Sequence, residues 1–154
     1  MSRQPPESRG CYRHFITITT RWMDNDVYRH VNNVQYYSFF DTAVNEYMMK
    51  QGVLDLSDSC AVCLTVDSGC QYFSEISFPD VVYCGLRVGH LGRSSVRFEI
   101  GIFRNDEQTA AAQGHFVHVA CDRLTHRPID MPAAMRRAME ALCVPAHHLA
   151  PSPP

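Results

Sequence analysis

Residues 34–51 read VQYYSFFDTAVNEYMMKQ. Val34, Tyr37, Phe40, Val44, Tyr47 and Met48 recur at spacings of three and four, the period of a helix. Tyr36, Phe39 and Ala43 make the opposite side apolar as well. A helix that is apolar almost all round belongs in an interior, not on a surface. At about 1.5 Å per residue it is about 25 Å long, so a large apolar layer must cover it.

The rest of the chain supplies that layer. Residues 13–21 (RHFITITTR) are rich in β-branched and aromatic side chains and predict a strand. Residues 22–33 form a polar connection to the helix. Segments 61–73, 81–90, 94–104 and 109–122 each carry strand-forming residues. In one of them Val96, Phe98, Ile100 and Ile102 alternate with Arg97, Glu99, Gly101 and Phe103, the pattern of a half-buried strand. Turn signals separate the segments: Phe78-Pro79-Asp80, Leu91-Gly92 and Arg104-Asn105-Asp106-Glu107. Pro132 then opens a short helix with Met135, Ala138, Met139 and Leu142 on one face. Consecutive strands joined by short turns predict a largely antiparallel sheet that covers the long helix. The expected class is therefore α+β, one domain over 13–144. An edge or face of that sheet is expected to pair with a second copy of the chain. The ends, 1–12 and 145–154, are polar and Pro-rich and read as loose tails.

The 154 residues are 45% hydrophobic and 19% charged, with a formal net charge of −2. That composition gives one globular core and no overall basic field for nucleic acid or an anionic membrane. No segment approaches the roughly 18 consecutive apolar residues of a membrane-spanning helix. The first ten residues, MSRQPPESRG, contain no apolar leader core. The seven cysteines are odd in number and irregular in spacing. Free thiols in a cytoplasmic setting are expected. Cys60-x-x-Cys63 with Cys70 suggests a metal site only weakly. On a strand, positions three apart face opposite ways, and no second ligand pair lies nearby. The same parity separates His115 from His118. No metal and no cofactor are expected.

Residues 21–41, RWMDNDVYRHVNNVQYYSFFD, carry a resemblance. Asp26 follows the first strand, His30-Val31-Asn32-Asn33 follows Asp26, and an aromatic-rich helix begins at once. This resembles the 4-hydroxybenzoyl-CoA thioesterase-like family of hotdog-fold enzymes, in particular its long-chain acyl-CoA branch. The likeness continues at Asp80-Val81-Val82, at Leu91-Gly92-Arg93-Ser94-Ser95 and at Arg123-Leu124-Thr125-His126-Arg127-Pro128, and covers about 13–140. It implies a sheet wrapped around the long helix and two protomers joined edge to edge, with pairs assembling further into tetramers. It also implies an active site at the subunit interface and an acyl-CoA substrate whose CoA lies along the surface. Many relatives have glycine immediately before the histidine, where this chain has Arg29. If that position needs a positive φ, arginine is strained there.

Thioester hydrolysis requires a group that attacks or activates water, and donors for the developing oxyanion. By itself Asp26 reads as a loop carboxylate that caps a turn. The resemblance implies instead that it is the catalytic nucleophile or general base, and it sets Asp24 aside as solvated or structural. The resemblance also points to the N–H of Asn33 as the oxyanion donor, where free amides and the helix dipole favour negative charge. Asn32 or Asn33 equally reads as a helix cap. His30 either orients Asp26 or contacts the thioester, or is an ordinary packed loop histidine. Gly92, Arg93, Ser94 and Ser95 read as CoA contacts or as a plain solvated turn. His90 and Arg29 are weaker candidates. The alternatives to an acyl-CoA hydrolase are a hotdog hydratase or dehydratase, an acyl-carrier-protein thioesterase, and a non-catalytic acyl-thioester binder.

Overall fold

The structure, a computed structural model, describes residues 3–54 and 61–144. Five strands and two helices follow in the expected order. They are β1 (His14–Thr19), α1 (Asn33–Lys50), β2 (Ala61–Tyr72), β3 (Val81–Leu91), β4 (Ser95–Arg104), β5 (Ala112–Asp122) and α2 (Ala133–Glu140). The strands form a single sheet in the order β1-β3-β4-β5-β2, and every pairing is antiparallel. Consecutive strands β3, β4 and β5 are neighbours, as short turns dictate. β2 closes the sheet on the far side of β5, so β1 and β2 are the two edges.

Alternation along β5 sets the two faces of the sheet. Ala112, Gly114, Phe116, His118 and Ala120 are buried, while Gln113, His115, Val117 and Val119 are only half-buried. α1 lies on the buried face. Its Tyr36, Phe39, Phe40, Ala43, Val44, Tyr47 and Met48 join Val82, Leu86, Phe98 and Ile100 in one core. Phe40 comes so close to the sheet that a Cβ on Gly114 would sit 2.3 Å from its ring. Glycine at that position is what seats the helix. Tyr47 anchors the other half of α1 by donating its hydroxyl to the Ala138 carbonyl at 2.6 Å, which ties α1 to α2.

α1 packs on the sheet as expected, and the sheet covers one side of it. Val34 remains 60% exposed and Met49 59%. The N-terminal segment is not loose along all of 1–12. Residues 9–11 form a short 3-10 turn, Ser8 bridges to Thr109, and Ala110 N–H donates to the Glu7 carbonyl. The physical reason lies on the outer face of the sheet. Gly85 and Gly101 face each other across β3 and β4, and without side chains they leave a floor on which the Tyr12 ring lies. Arg87, 5% exposed, hydrogen-bonds the carboxylates of Glu7 and Glu99. Burial opposes its charge, but the Glu7 hydrogen bond and the surrounding carboxylates outweigh that and push its pKa up. The expected C-terminal tail, 145–154, lies outside the described residues.

Candidate active site

The connection from β1 to α1 is a constrained loop. Asp24 is 2% exposed. Its carboxylate accepts the Arg21 backbone N–H at 2.7 Å and the Arg21 guanidinium at 3.0 and 3.2 Å. The Asp24 carbonyl accepts the Asn32 N–H at 2.8 Å, which folds the start of α1 back beside the loop. Asp24 is thus a clamp, and both of its carboxylate oxygens are occupied.

Between Asp24 and Asn32 the chain makes a tight excursion with Asp26 at its base. Asp26 N–H donates to the His30 carbonyl at 2.9 Å, and Arg29 N–H donates to the Asp26 carbonyl at 3.0 Å. Asp26 Oδ1 accepts the Tyr28 N–H at 2.8 Å, the turn-capping bond that the residue type suggests. Its Oδ2 has no hydrogen-bond partner among the described residues. The turn closes only because Arg29 sits at φ +66°, the left-handed region that glycine occupies without cost. The condition raised by the sequence is met, and an arginine carries the strain.

A second loop, between β2 and β3, supports the first. Ile76 C=O accepts Val31 N–H at 2.7 Å, Ser77 Oγ donates to the Arg29 carbonyl at 2.8 Å, and Phe78 N–H donates to Asn25 Oδ1 at 3.1 Å. Together the two loops line a cleft of about 550 Å³ formed by Trp22, Asn25, Asp26, Arg29, Ser77 and Phe78. Beyond the turn signal at Phe78-Pro79-Asp80 nothing in the letters marks Ser77 and Phe78, and Arg29 reads there only as a weaker candidate.

The remaining candidates divide. Asn33 opens α1, with Asn32 as its N-cap accepting the Val34 N–H at 3.2 Å. The Asn33 N–H donates to no group among the described residues, while its carbonyl accepts the Tyr72 hydroxyl at 3.1 Å. Burial raises the Tyr72 pKa, which keeps that donor protonated. His30 Nε2 lies 2.8 Å from Glu75 Oε2, so its carboxylate partner is Glu75 and not Asp26. Gly92, Arg93, Ser94 and Ser95 are elsewhere. Gly92 N–H donates to the Ser95 carbonyl at 2.8 Å, closing the β3–β4 turn. The Arg93 side chain is 85% exposed and pairs with Asp130. β3 begins at Val81 opposite Thr19, beside the Asp26 loop, and ends at Leu91, about 33 Å away at 3.3 Å per residue. One protomer therefore does not bring Asp26 and Arg93 into one site. Among the described residues no three His, Cys, Asp or Glu side chains converge as metal ligands; Cys60 lies outside those residues.

The profile of the thioesterase-like superfamily matches residues 20–139. The chain belongs to that superfamily. The match spans the Asp26 loop, α1 and all the strands after it, and the sheet with its packed long helix is the hotdog arrangement. Among solved structures, the PA5185 protein from Pseudomonas aeruginosa is 47% identical. That alignment covers 90% of this chain and 97% of the other, with a TM-score of 0.87. PA2801 from the same organism, named as a proposed thioesterase, is 27% identical over 82% of this chain and 98% of its own, TM-score 0.77. SAV2348 from Staphylococcus aureus, solved in complex with CoA, is 17% identical over 91% of this chain and 86% of its own, TM-score 0.75, a likeness of fold. A comparison with curated proteins gives no match.

Proposed function

We propose that this superfamily member hydrolyses acyl-CoA thioesters to a free carboxylic acid and CoA, with Asp26 as the reacting carboxylate. The observation that carries this reading is that Asp26 Oδ2, in an open cleft, and the Asn33 N–H both lack a partner among the described residues, on a loop that the Asp24–Asn32 hydrogen bond folds back beside the start of α1. In such a site the carboxylate either adds to the thioester carbonyl or takes a proton from the attacking water. The carbonyl oxygen becomes an oxyanion against the helix N–H, a donor typically worth about 3 kcal/mol. The C–S bond then breaks: in the water route the departing thiolate takes the proton held by Asp26 and the acid is free, while in the nucleophilic route the thiolate takes a proton from solvent and a water then cleaves the acyl–Asp26 anhydride to the free acid and the restored carboxylate. Arg29 adds positive charge at the cleft, and His30 with Glu75 fixes the loop.

CoA contacts at Gly92, Arg93, Ser94 and Ser95 require a second copy, because those residues lie at the opposite end of β3. A homodimer through β2 fits this need. β2 is an edge strand of 12 residues, and positions 64–68 are all exposed, a template for a further strand. Trp22, Met23, Val27 and Tyr28 are each more than 70% exposed around Asp26, an apolar surface that a neighbouring subunit would cover. Pairing of such dimers into a tetramer follows the same symmetry. The CoA bound to SAV2348 supports a CoA-type ligand for the fold. Among the described residues no helix is long and apolar enough to cross a membrane; the setting proposed is cytoplasmic.

A hydrolysis screen over short, medium, long and aromatic acyl-CoAs tests the reading. Release of free thiol from at least one class, at a rate that rises with enzyme concentration, is expected. No release from any of them, nor from the same acyl groups on acyl carrier protein, would refute it.

A further inference from the structure

A second cavity, of about 280 Å³, lies between α1 and the β5–β2 side of the sheet. Asp41 and Asn45 on α1 and His118 on β5 form its polar wall, and Met48, Val62 and Met135 are among its apolar lining. His118 is 6% exposed, yet among the described residues neither of its ring nitrogens has a hydrogen-bond partner. Buried polar atoms without partners are rare in folded proteins and call for an explanation. The ring cannot easily turn away: Phe116 stacks on it at 5.7 Å and Phe98 meets it edge-on at 5.3 Å.

The cavity indicates what would satisfy His118. Its volume is several times the roughly 30 Å³ that one water occupies. Apolar walls call for a hydrocarbon, and His118 calls for a group that hydrogen-bonds. Burial lowers the proton affinity of the imidazole, against a smaller opposing effect of Asp41. The neutral ring offers one donor and one acceptor, the complement of a hydroxyl. Asp41 and Arg123, which also lines the cavity, carry opposite charges, so no net charge there selects an ion.

The cavity also sits where a substrate chain would end. Tyr72, at one end of β2, bonds to Asn33 at the start of α1. Ala61, at the other end of β2, lines the cavity. Antiparallel pairing of two β2 edges about a two-fold axis brings opposite ends together. In the β2 homodimer proposed above, on which this argument rests, that pairing turns the start of α1 of the second copy, with its Asp26, toward this cavity.

We propose that the cavity receives the distal part of the acyl group and that His118 selects chains bearing a hydroxyl group over plain alkyl chains. This rests on the thioester-hydrolase reading above and names the substrate class of that site.

The test compares octanoyl-CoA with its ω-hydroxy counterpart. Wild-type protein is expected to favour the hydroxylated chain by about tenfold in kcat/KM, the discrimination of one net hydrogen bond. In His118→Phe, which keeps an aromatic ring between Phe98 and Phe116, the ratio falls to about one. His118→Gln, which keeps a donor and an acceptor, retains part of it and covers the case in which the phenylalanine variant fails to fold. A wild-type ratio near one, or a ratio unchanged in His118→Phe, overturns the proposal. Absence of turnover on both thioesters defeats the hydrolase reading instead. The cavity is then read by melting temperature with octan-1-ol: a rise in wild type that is missing from His118→Phe supports the pocket, and no rise in wild type overturns it.

Discussion

His30 and Glu75 are joined, with Nε2 2.8 Å from Oε2, and this contact links the two loops that carry the Asp26 cleft. It also redirects the role of His30. The histidine holds its own loop to the loop after β2, and its carboxylate partner is not the catalytic candidate. Both side chains are substantially exposed, 39% and 71%, so the pair adds at most about 1 kcal/mol to stability. Its value is in placement.

Glu75→Gln is therefore expected to lower kcat roughly tenfold, the scale on which small misplacements act, with little change in melting temperature. Glu75→Asp should recover part of the loss. Steady-state kinetics on the best acyl-CoA, alongside thermal melting, checks this. A large fall in melting temperature would mean that the pair supports the fold and not the cleft.

Arg29 at φ +66° stores backbone strain of about 1 kcal/mol or slightly more. Arg29→Gly should release it and raise the melting temperature by a few degrees. The Ser77 hydrogen bond goes to the Arg29 carbonyl and survives the substitution. Unfolding by heat or denaturant measures the gain, and an unchanged or lower stability would show that the arginine side chain offsets its own strain.

His118 gives stability a pH dependence. Burial lowers its pKa from the ordinary 6.5, with Asp41 opposing. The unfolded chain thus binds a proton more readily than the folded one as pH falls below 6.5. Stability contributed by the neutral ring is complete above that value and is lost as pH falls through the folded pKa. Melting temperature measured from pH 7.5 down to pH 5 should decline, and His118→Phe should flatten the decline. Asp41 on α1, Cys63 on β2 and Arg123 beyond β5 line the same cavity. Of these, burial holds the Cys63 thiol above its usual range, so it does not titrate in that window.

What could be read from the letters depended on distance along the chain. The period of residues 34–51 gave α1 almost to the residue, and alternation at Val96, Phe98, Ile100 and Ile102 gave β4 with its buried face. The local Asp-x₃-His-Val-Asn-Asn pattern also placed Asp26 on the connecting loop and Asn33 at the start of α1, while the roles proposed for them rest on the resemblance. Contacts between distant segments were not. Glu75 pairs with His30 from 45 positions away, and nothing near Glu75 announces it. Glu7 sits in a polar, Pro-rich stretch that reads as a tail, because its partner Arg87 and the glycine floor beneath Tyr12 belong to β3 and β4. Apolar composition did not separate the two sides of α1 either: Val34 matches the helical stripe yet stays exposed, since the sheet of one protomer covers only one face.

The central claim is that the Asp26 carboxylate performs the chemistry, and Asp26→Asn tests it most directly. The amide retains Oδ1 to accept the Tyr28 N–H, so the loop should keep its shape and the melting temperature should stay close to wild type. With the protein folded, kcat for acyl-CoA hydrolysis is expected to fall by at least about a hundredfold. Wild-type turnover in a folded Asp26→Asn protein would contradict the account.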